Sequence, residues 1–393
     1  MRILVATIIV LLLIIAGGVY YFYPTLYGIG QDQSVNVPKL NSLASPNPKS
    51  SENPSSSTET PVETIVTEGL DTPWAIAFLP DKSMLVTERK GTVRLVDKSG
   101  NLQPEPVAII TNSKEIGEGG LLGITLHPKF SENNYVYLYY TYDNAGENTS
   151  NRVVLMTYKN GQLSDERIIV DNIPGASNHN GGRIKFGPDS YLYITTGDAQ
   201  EPSLAQTKSS LAGKILRVTD EGKPTPGNTF DTMVYSWGHR NPQGIAWDKD
   251  GNLWETEHGP SGGSLGTGND EVNFIELGKN YGWPEIQGNQ TKEGMVTPVR
   301  NSTPQLSWAP SGAAFIGNSL FFSGLKGQTL YEAVIENNQI TNFKEHFKGK
   351  YGRIREVIAG PDGMLYITTS NLDGRGRPNQ GDDKIIRINP QKL

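Results

Sequence analysis

From Val62 onward apolar and polar positions alternate with a period of two, the signature of half-buried strands, and the alternation arrives in a recurring unit. An apolar triplet leads into a Pro/Asp/Gly turn, and a second apolar strand then ends in polar residues. Clear copies span 75–89 (AIAFLPDKSMLVTER), 183–198 (RIKFGPDSYLYITTGD), 244–258 (GIAWDKDGNLWETEH) and 356–371 (EVIAGPDGMLYITTSN), and weaker ones span 124–140 and 314–324. Each copy predicts a β-hairpin. The turns centre on Asp81, Glu132, Asp189, Asp250, Asn318 and Asp362, roughly 45 to 70 residues apart, which brackets a propeller blade with loop insertions. The pattern predicts an all-β fold: a six-bladed β-propeller of four-stranded antiparallel blades over residues 64–393. A two-sheet sandwich or a seven-bladed wheel also fits such a pattern. Outside the amino terminus no stretch keeps a helical period, which disfavours a parallel α/β fold.

The amino terminus follows a different rule. Ile3 to Tyr23 carry no charge, and as a helix they would measure about 31 Å, enough to span a bilayer. Arg2 precedes the run and no basic cluster follows it, so residues 1–24 read as a transmembrane anchor with the rest of the chain extracytoplasmic. The alternative is a signal peptide cleaved near Ala16-Gly17-Gly18, which would release a secreted protein. Residues 25–63 are dominated by Ser, Pro, Thr and Asn and read as a disordered stalk, because they hold too little apolar surface to offset the cost of ordering.

Composition narrows the chemistry. The 393-residue chain carries a formal net charge of −6 and no run of Lys or Arg, which argues against nucleic acid as a partner. It has no cysteine, so disulfides, thiolate metal sites and Cys nucleophiles are excluded. There is no HExxH, phosphate loop or GxGxxG. Gly259 to Gly263 spell GxSxG, but Pro260 and Gly262 flank the serine and no helix follows, so a nucleophile elbow is ruled out.

Polar segments sit just after the repeated strands, where propeller loops surround a central channel. They include 117–123 (GEGGLLG), 177–183 (SNHNGGR), 196–199 (TGDA), 236–244 (SWGHRNPQG), 255–260 (ETEHGP), 268–274 (GNDEVNF), 279–284 (KNYGWP) and 351–356 (YGRIRE). Three of the five histidines fall inside them. Singly, each has a bland reading as a turn. Jointly, and in this order, GHRNPQG, EHGP, DEVN and NYGWP resemble the soluble glucose and aldose sugar dehydrogenases that depend on pyrroloquinoline quinone (PQQ), the glucose/sorbosone dehydrogenase family. The resemblance runs from about Gly69 to Asn389.

The resemblance implies oxidation of the anomeric carbon of an aldose to a lactone, with hydride passing to calcium-bound PQQ. By position, His179 would be the general base, a task that suits neutral imidazole, and Asp198 would orient it. Arg240 and Asn241 would lie against the quinone carbonyls, with Arg240 stabilising the charge gained there. Lys326, Arg353 and Arg355 would hold the cofactor carboxylates. The carbonyls of Gly259 and Pro260 would bind Ca2+, with Asp270 behind them. Glu118 stands where glucose-type members have a glutamine touching sugar and cofactor, and Asn178 where they have an acid. The stretch 285–307 is shorter than in glucose-specific members, which implies a more open cleft. A respiratory electron acceptor near the membrane would complete the cycle. Two other functions compete: a calcium-dependent propeller hydrolase of the lactonase type, which would need clustered side-chain carboxylates, and a non-catalytic carbohydrate- or protein-binding propeller, which would not need an intact base.

Overall fold

The computed structural model describes residues 61–144, 149–262 and 267–393. The anchor and most of the stalk therefore lie outside the described residues, and none of the described helices is long and apolar enough to cross a membrane.

Strand β1 (Glu63–Thr67) is followed by the first hairpin sheet, β2 (Pro73–Phe78), β3 (Met84–Glu88), β4 (Thr92–Val96) and β5 (Ala108–Ile109). The second holds β6 (Leu121–Leu126), β7 (Tyr135–Asp143), β8 (Thr149–Lys159) and β9 (Gln162–Pro174); the third β10 (Ile184–Phe186), β11 (Leu192–Thr196), β12 (Lys214–Val218) and β13 (Val234–Trp237). The fourth holds β14 (Pro242–Trp247), β15 (Leu253–Glu257), β16 (Glu271–Ile275) and β17 (Arg300–Asn301); the fifth β18 (Pro310–Ile316), β19 (Ser319–Gly324), β20 (Thr329–Glu336) and β21 (Gln339–His346). The last blade combines β22 (Ile354–Ala359), β23 (Leu365–Thr369) and β24 (Ile385–Ile388) with β1, in the order β1-β24-β23-β22. Six four-stranded antiparallel sheets result, and all six predicted turns fall between the first two strands of a blade.

The ring closes by pairing its two ends. Glu63 lies opposite Ile388, and Ile65 opposite Ile386. Glu63, assigned to the stalk on composition, is thus the first residue of an outer strand, because its partner strand lies at the far end of the sequence. Closure of this kind leaves no long unpaired edge between the first and last blades.

The threonines and serine that end the second strands tie blades together. Thr87 donates to the carbonyl of Leu122 (2.6 Å), Thr256 to that of Ser311 (3.1 Å), Ser323 to that of Arg355 (2.6 Å) and Thr368 to that of Pro73 (3.4 Å). Each bond runs from the second strand of one blade to the innermost strand of the next, all at buried positions where an unpaired hydroxyl would cost free energy. The polar strand endings of the repeat therefore set the spacing of the ring. Between blades the core is aliphatic and aromatic, with Trp74, Tyr139, Trp254 and Phe322 wholly buried.

Candidate active site

A floor divides the central channel. Arg183, 2 % exposed, is ion-paired with Glu356 from the last blade and donates from Nε to the carbonyl of Gln243 (3.0 Å). Its guanidinium lies over the ring of Trp74, 4.3 Å from the centroid. Trp74 lines a cavity of about 320 Å³ on one side, while Arg183 and Glu356 line a separate one on the other. Four cationic side chains, Lys326, Arg353, Arg355 and Arg375, face the first cavity together with Glu118 and Asp270.

These cations are held in different ways. Arg353 precedes β22, donates from Nε to Asp373 (2.7 Å) and from Nη1 to the carbonyl of Leu325 (3.3 Å). Lys326 follows β19, is exposed, and forms no ion pair among the described residues. Arg355 is 5 % exposed, yet its side chain makes no hydrogen bond or ion pair among the described residues, and its Nε is buried without a partner. Burial and the neighbouring Arg353 and Arg89 push it down to about 9, although Asp373 and Glu118 favour its charge. A buried cation without an anion is costly by several kcal/mol, so the cavity is built for an anionic guest.

Beside this well stands the predicted base. His179 closes a turn between the second and third blades at φ +60°, and its Nδ1 lies 2.7 Å from Oδ1 of Asp198. Asp198 is fully buried and also accepts from Gln200 N (2.9 Å) and from Trp283 Nε1 (2.8 Å). With the carboxylate acting as acceptor, Nδ1 carries the proton and Nε2 keeps its lone pair. The turn is held from several sides. Tyr139 donates to the carbonyl of Asn180 (2.8 Å), Gly181 N donates to Asn241 Oδ1 (3.0 Å), and a Cβ on Gly197 would sit 2.0 Å from the His179 carbonyl. Strain of this kind persists where surrounding contacts over-determine it.

His179, Asp198, Arg240, Pro260, Ser261 and Trp283 line a second cavity of about 200 Å³, and Ser261 borders both it and the cationic well. Arg240 lies 5.3 Å over Trp283, donates to the His258 carbonyl (3.2 Å), and is fixed by its own N–H to Glu257 (2.5 Å). Asn241 uses Oδ1 internally, while its Nδ2 is buried and unpartnered. Gly259 donates to Asp270 Oδ1 (2.9 Å), and a Cβ on Gly259 would meet the Gly268 carbonyl at 2.2 Å, so glycine is required by close approach. Asp270 spends its other oxygen on Ser307 Oγ, Trp308 N and Ala309 N (3.0, 2.6 and 3.0 Å). It therefore holds the backbone at Gly259 against the segment from Ser307 to Ala309.

The structure thus brings His179, Asp198, Arg240, Pro260, Lys326, Arg353, Arg355, Glu118 and Asp270 to adjoining cavities, whereas Gly259, Asn241 and Asn178 line neither. Sequence reasoning missed Trp283 and Arg375. It saw NYGWP as a motif but could not see that its indole reaches Asp198, and Arg375 lies in a loop outside the repeat. The side chains spaced to grip a cation are, among the described residues, His239, Glu255 and Glu257. All three are buried, and His239 is committed to Glu257 (2.9 Å) and Ser236 (2.9 Å). An open carboxylate cage of the hydrolase type is not formed there.

Fold and site together define a six-bladed propeller with an oriented imidazole next to a cationic well. A family model described as Glucose / Sorbosone dehydrogenase matches residues 70–386, and the chain belongs to that family. Aldose sugar dehydrogenase YliI of Escherichia coli (strain K12) is 32% identical over 358 residues, covering 83% of this chain and 92% of the relative. Quinoprotein glucose dehydrogenase B of Acinetobacter calcoaceticus is 30% identical over 263 residues, 58% of this chain and 54% of the relative. Among solved structures, the PQQ-bound aldose sugar dehydrogenase of Streptomyces coelicolor superposes with a TM-score of 0.77 at 39% identity, covering 83% of this chain and 96% of that one.

Proposed function

We propose that the protein is a PQQ-dependent aldose sugar dehydrogenase that oxidises the anomeric carbon of aldoses to lactones. The observation that carries this reading is the unpaired, buried guanidinium of Arg355 beside Arg353 and Lys326, next to a His179 whose Nε2 is free. The residues fit a flat tricarboxylate quinone: three cations for its carboxylates, and the orphaned Nδ2 of Asn241 as a donor for a carbonyl. Gly259 and Pro260 have carbonyl oxygens of the kind a hard Ca2+ ion takes; that of Pro260 also accepts from Gly268 N (3.1 Å) and would have to serve both.

In this reading His179 Nε2 takes the proton from the anomeric hydroxyl, and the C–H bond breaks with its electron pair, leaving the lactone carbonyl. When bound, PQQ with Ca2+ would supply the two-electron acceptor for that hydride. Asp198 holds Nδ1 and stabilises the charged imidazole, and Trp283 and Gln200 hold Asp198. Arg240, fixed by Glu257 and lining the same cavity as His179, would stabilise charge gained by the acceptor. The intact His179–Asp198 pair favours this over a non-catalytic binding module.

We also propose that Ile3–Tyr23 tether the enzyme outside the cytoplasm, where a respiratory acceptor reoxidises it. Membrane fractionation of the full chain against residues 61–393 tests that part, and equal solubility of the two would overturn it. For the activity, residues 61–393 are loaded with PQQ and Ca2+ and assayed with an artificial dye acceptor on several aldoses. Quinone-dependent reduction with lactone as product is expected. Absence of quinone binding, or aldose-independent lactone hydrolysis, would overturn the reading.

A further inference from the structure

We infer that Arg375 is a positioning and specificity-determining residue that acts through Glu118 on the turn carrying His179. This rests on the reading of His179 as the base. Arg375 lies in the loop between β23 and β24 of the last blade, yet its Nη1 is ion-paired with Glu118 and its Nη2 donates to Asn178 Oδ1 (3.2 Å). Those are the two positions at which this chain departs from glucose-type members, and Arg375 joins them across the mouth of the cationic well. Glu118 then turns its second oxygen toward the N–H of His179 (3.5 Å), so one bridge links the last blade to the base.

The loop is fixed rather than loosely placed. Asp373 Oδ1 accepts from the N–H of Arg375 (2.9 Å) and of Gly376 (3.1 Å), while its Oδ2 accepts from Arg353 (2.7 Å), a cation of the cofactor well. Arg375 is half-exposed, with 52% of its side chain accessible, so the pair is worth little to folding, and its value lies in geometry. Burial opposes the charge of Glu118, but His258, Arg375 and His179 hold its carboxyl down at about 2, with Arg240 and Arg355 also facing it. Arg375 is the permanent charge directly bonded to Glu118. That wall of the cavity therefore presents an ionised acceptor where a glutamine would present a neutral amide.

The test is a double-mutant cycle on quinone-loaded residues 61–393, comparing wild type, Arg375→Ala, Glu118→Gln and the double variant. Quinone titration of each variant is the loading control, and failure of the wild type to bind quinone would count against the proposed function rather than this inference. Arg375→Ala is expected to raise KM for aldoses about tenfold with a smaller fall in kcat. In the Glu118→Gln background the same change should have no further effect, and Arg375→Lys should restore most of the loss. Independent, multiplying effects, or Arg375→Ala kinetics within twofold of wild type, would overturn the inference.

Discussion

Trp283 donates its indole N–H to the oxygen of Asp198 that His179 leaves free, at 2.8 Å, so the carboxylate that orients the base is itself held from behind. The two residues are 85 positions apart and come from different blades, and the bond fixes the plane in which Asp198 can meet the imidazole. Trp283→Phe should keep the ring's packing and remove that bond. A fall in kcat of roughly 3- to 10-fold is expected, in line with about 1 kcal/mol for one hydrogen bond. Asp198→Asn, which loses the charge and offers a wrong donor, should lower kcat by about 10²-fold or more. Steady-state kinetics on the two variants check both.

Arg355→Ala separates binding from folding. Because the guanidinium is buried and unpaired, its removal should leave the melting temperature of the cofactor-free protein unchanged or raise it. The same variant should bind quinone more weakly by about 2–5 kcal/mol, so that the thermal upshift on adding PQQ shrinks. Differential scanning calorimetry with and without PQQ and Ca2+ reads both effects.

The channel floor predicts the opposite behaviour. Breaking the Arg183–Glu356 pair from one side, as in Glu356→Ala, leaves a buried cation and should destabilise the fold by about 3–5 kcal/mol. The double variant Arg183→Met with Glu356→Leu removes both charges and should recover much of that loss, as denaturant unfolding would show.

Much of the ring was legible in the sequence, because a repeat states the same local physics six times. All six turns were placed, and the polar ends of the second strands proved to be the inter-blade ties made by Thr87, Thr256, Ser323 and Thr368. What was not legible are the partnerships that only ring closure creates. Glu63 joins Ile388 and Glu118 meets Arg375 257 residues away, and no local spacing encodes either. Arg353 and Arg355 are two positions apart; β22 begins between them and its pairing shifts between Ile354 and Val357, yet both reach the same cavity.

Three buried acids should contribute less to stability as pH rises. Burial raises the carboxyls of Glu257 and Glu271 to about 8 and that of Glu255 well above its usual range. A group whose pKa is raised in the folded state binds its proton more tightly there, so its contribution is complete below about pH 4.5 and drains as pH climbs toward 8. His239, His258 and Lys214, which burial holds toward their neutral forms, act in the opposite direction, so the acids are read by difference: Glu255→Gln should gain melting temperature relative to wild type as pH rises from about 5 to about 8. A difference between the two proteins that stays constant over that range would contradict the burial of Glu255 as a neutral group.

The most direct test of the central claim is single-turnover oxidation of glucose by quinone-loaded residues 61–393, followed by the absorbance of the cofactor, for wild type and His179→Ala. If His179 takes the anomeric proton, the variant should bind quinone as tightly as wild type but reduce it about 10²- to 10⁴-fold more slowly. Equal rates in the two proteins would show that the proton leaves by another route and would contradict the assignment of the base.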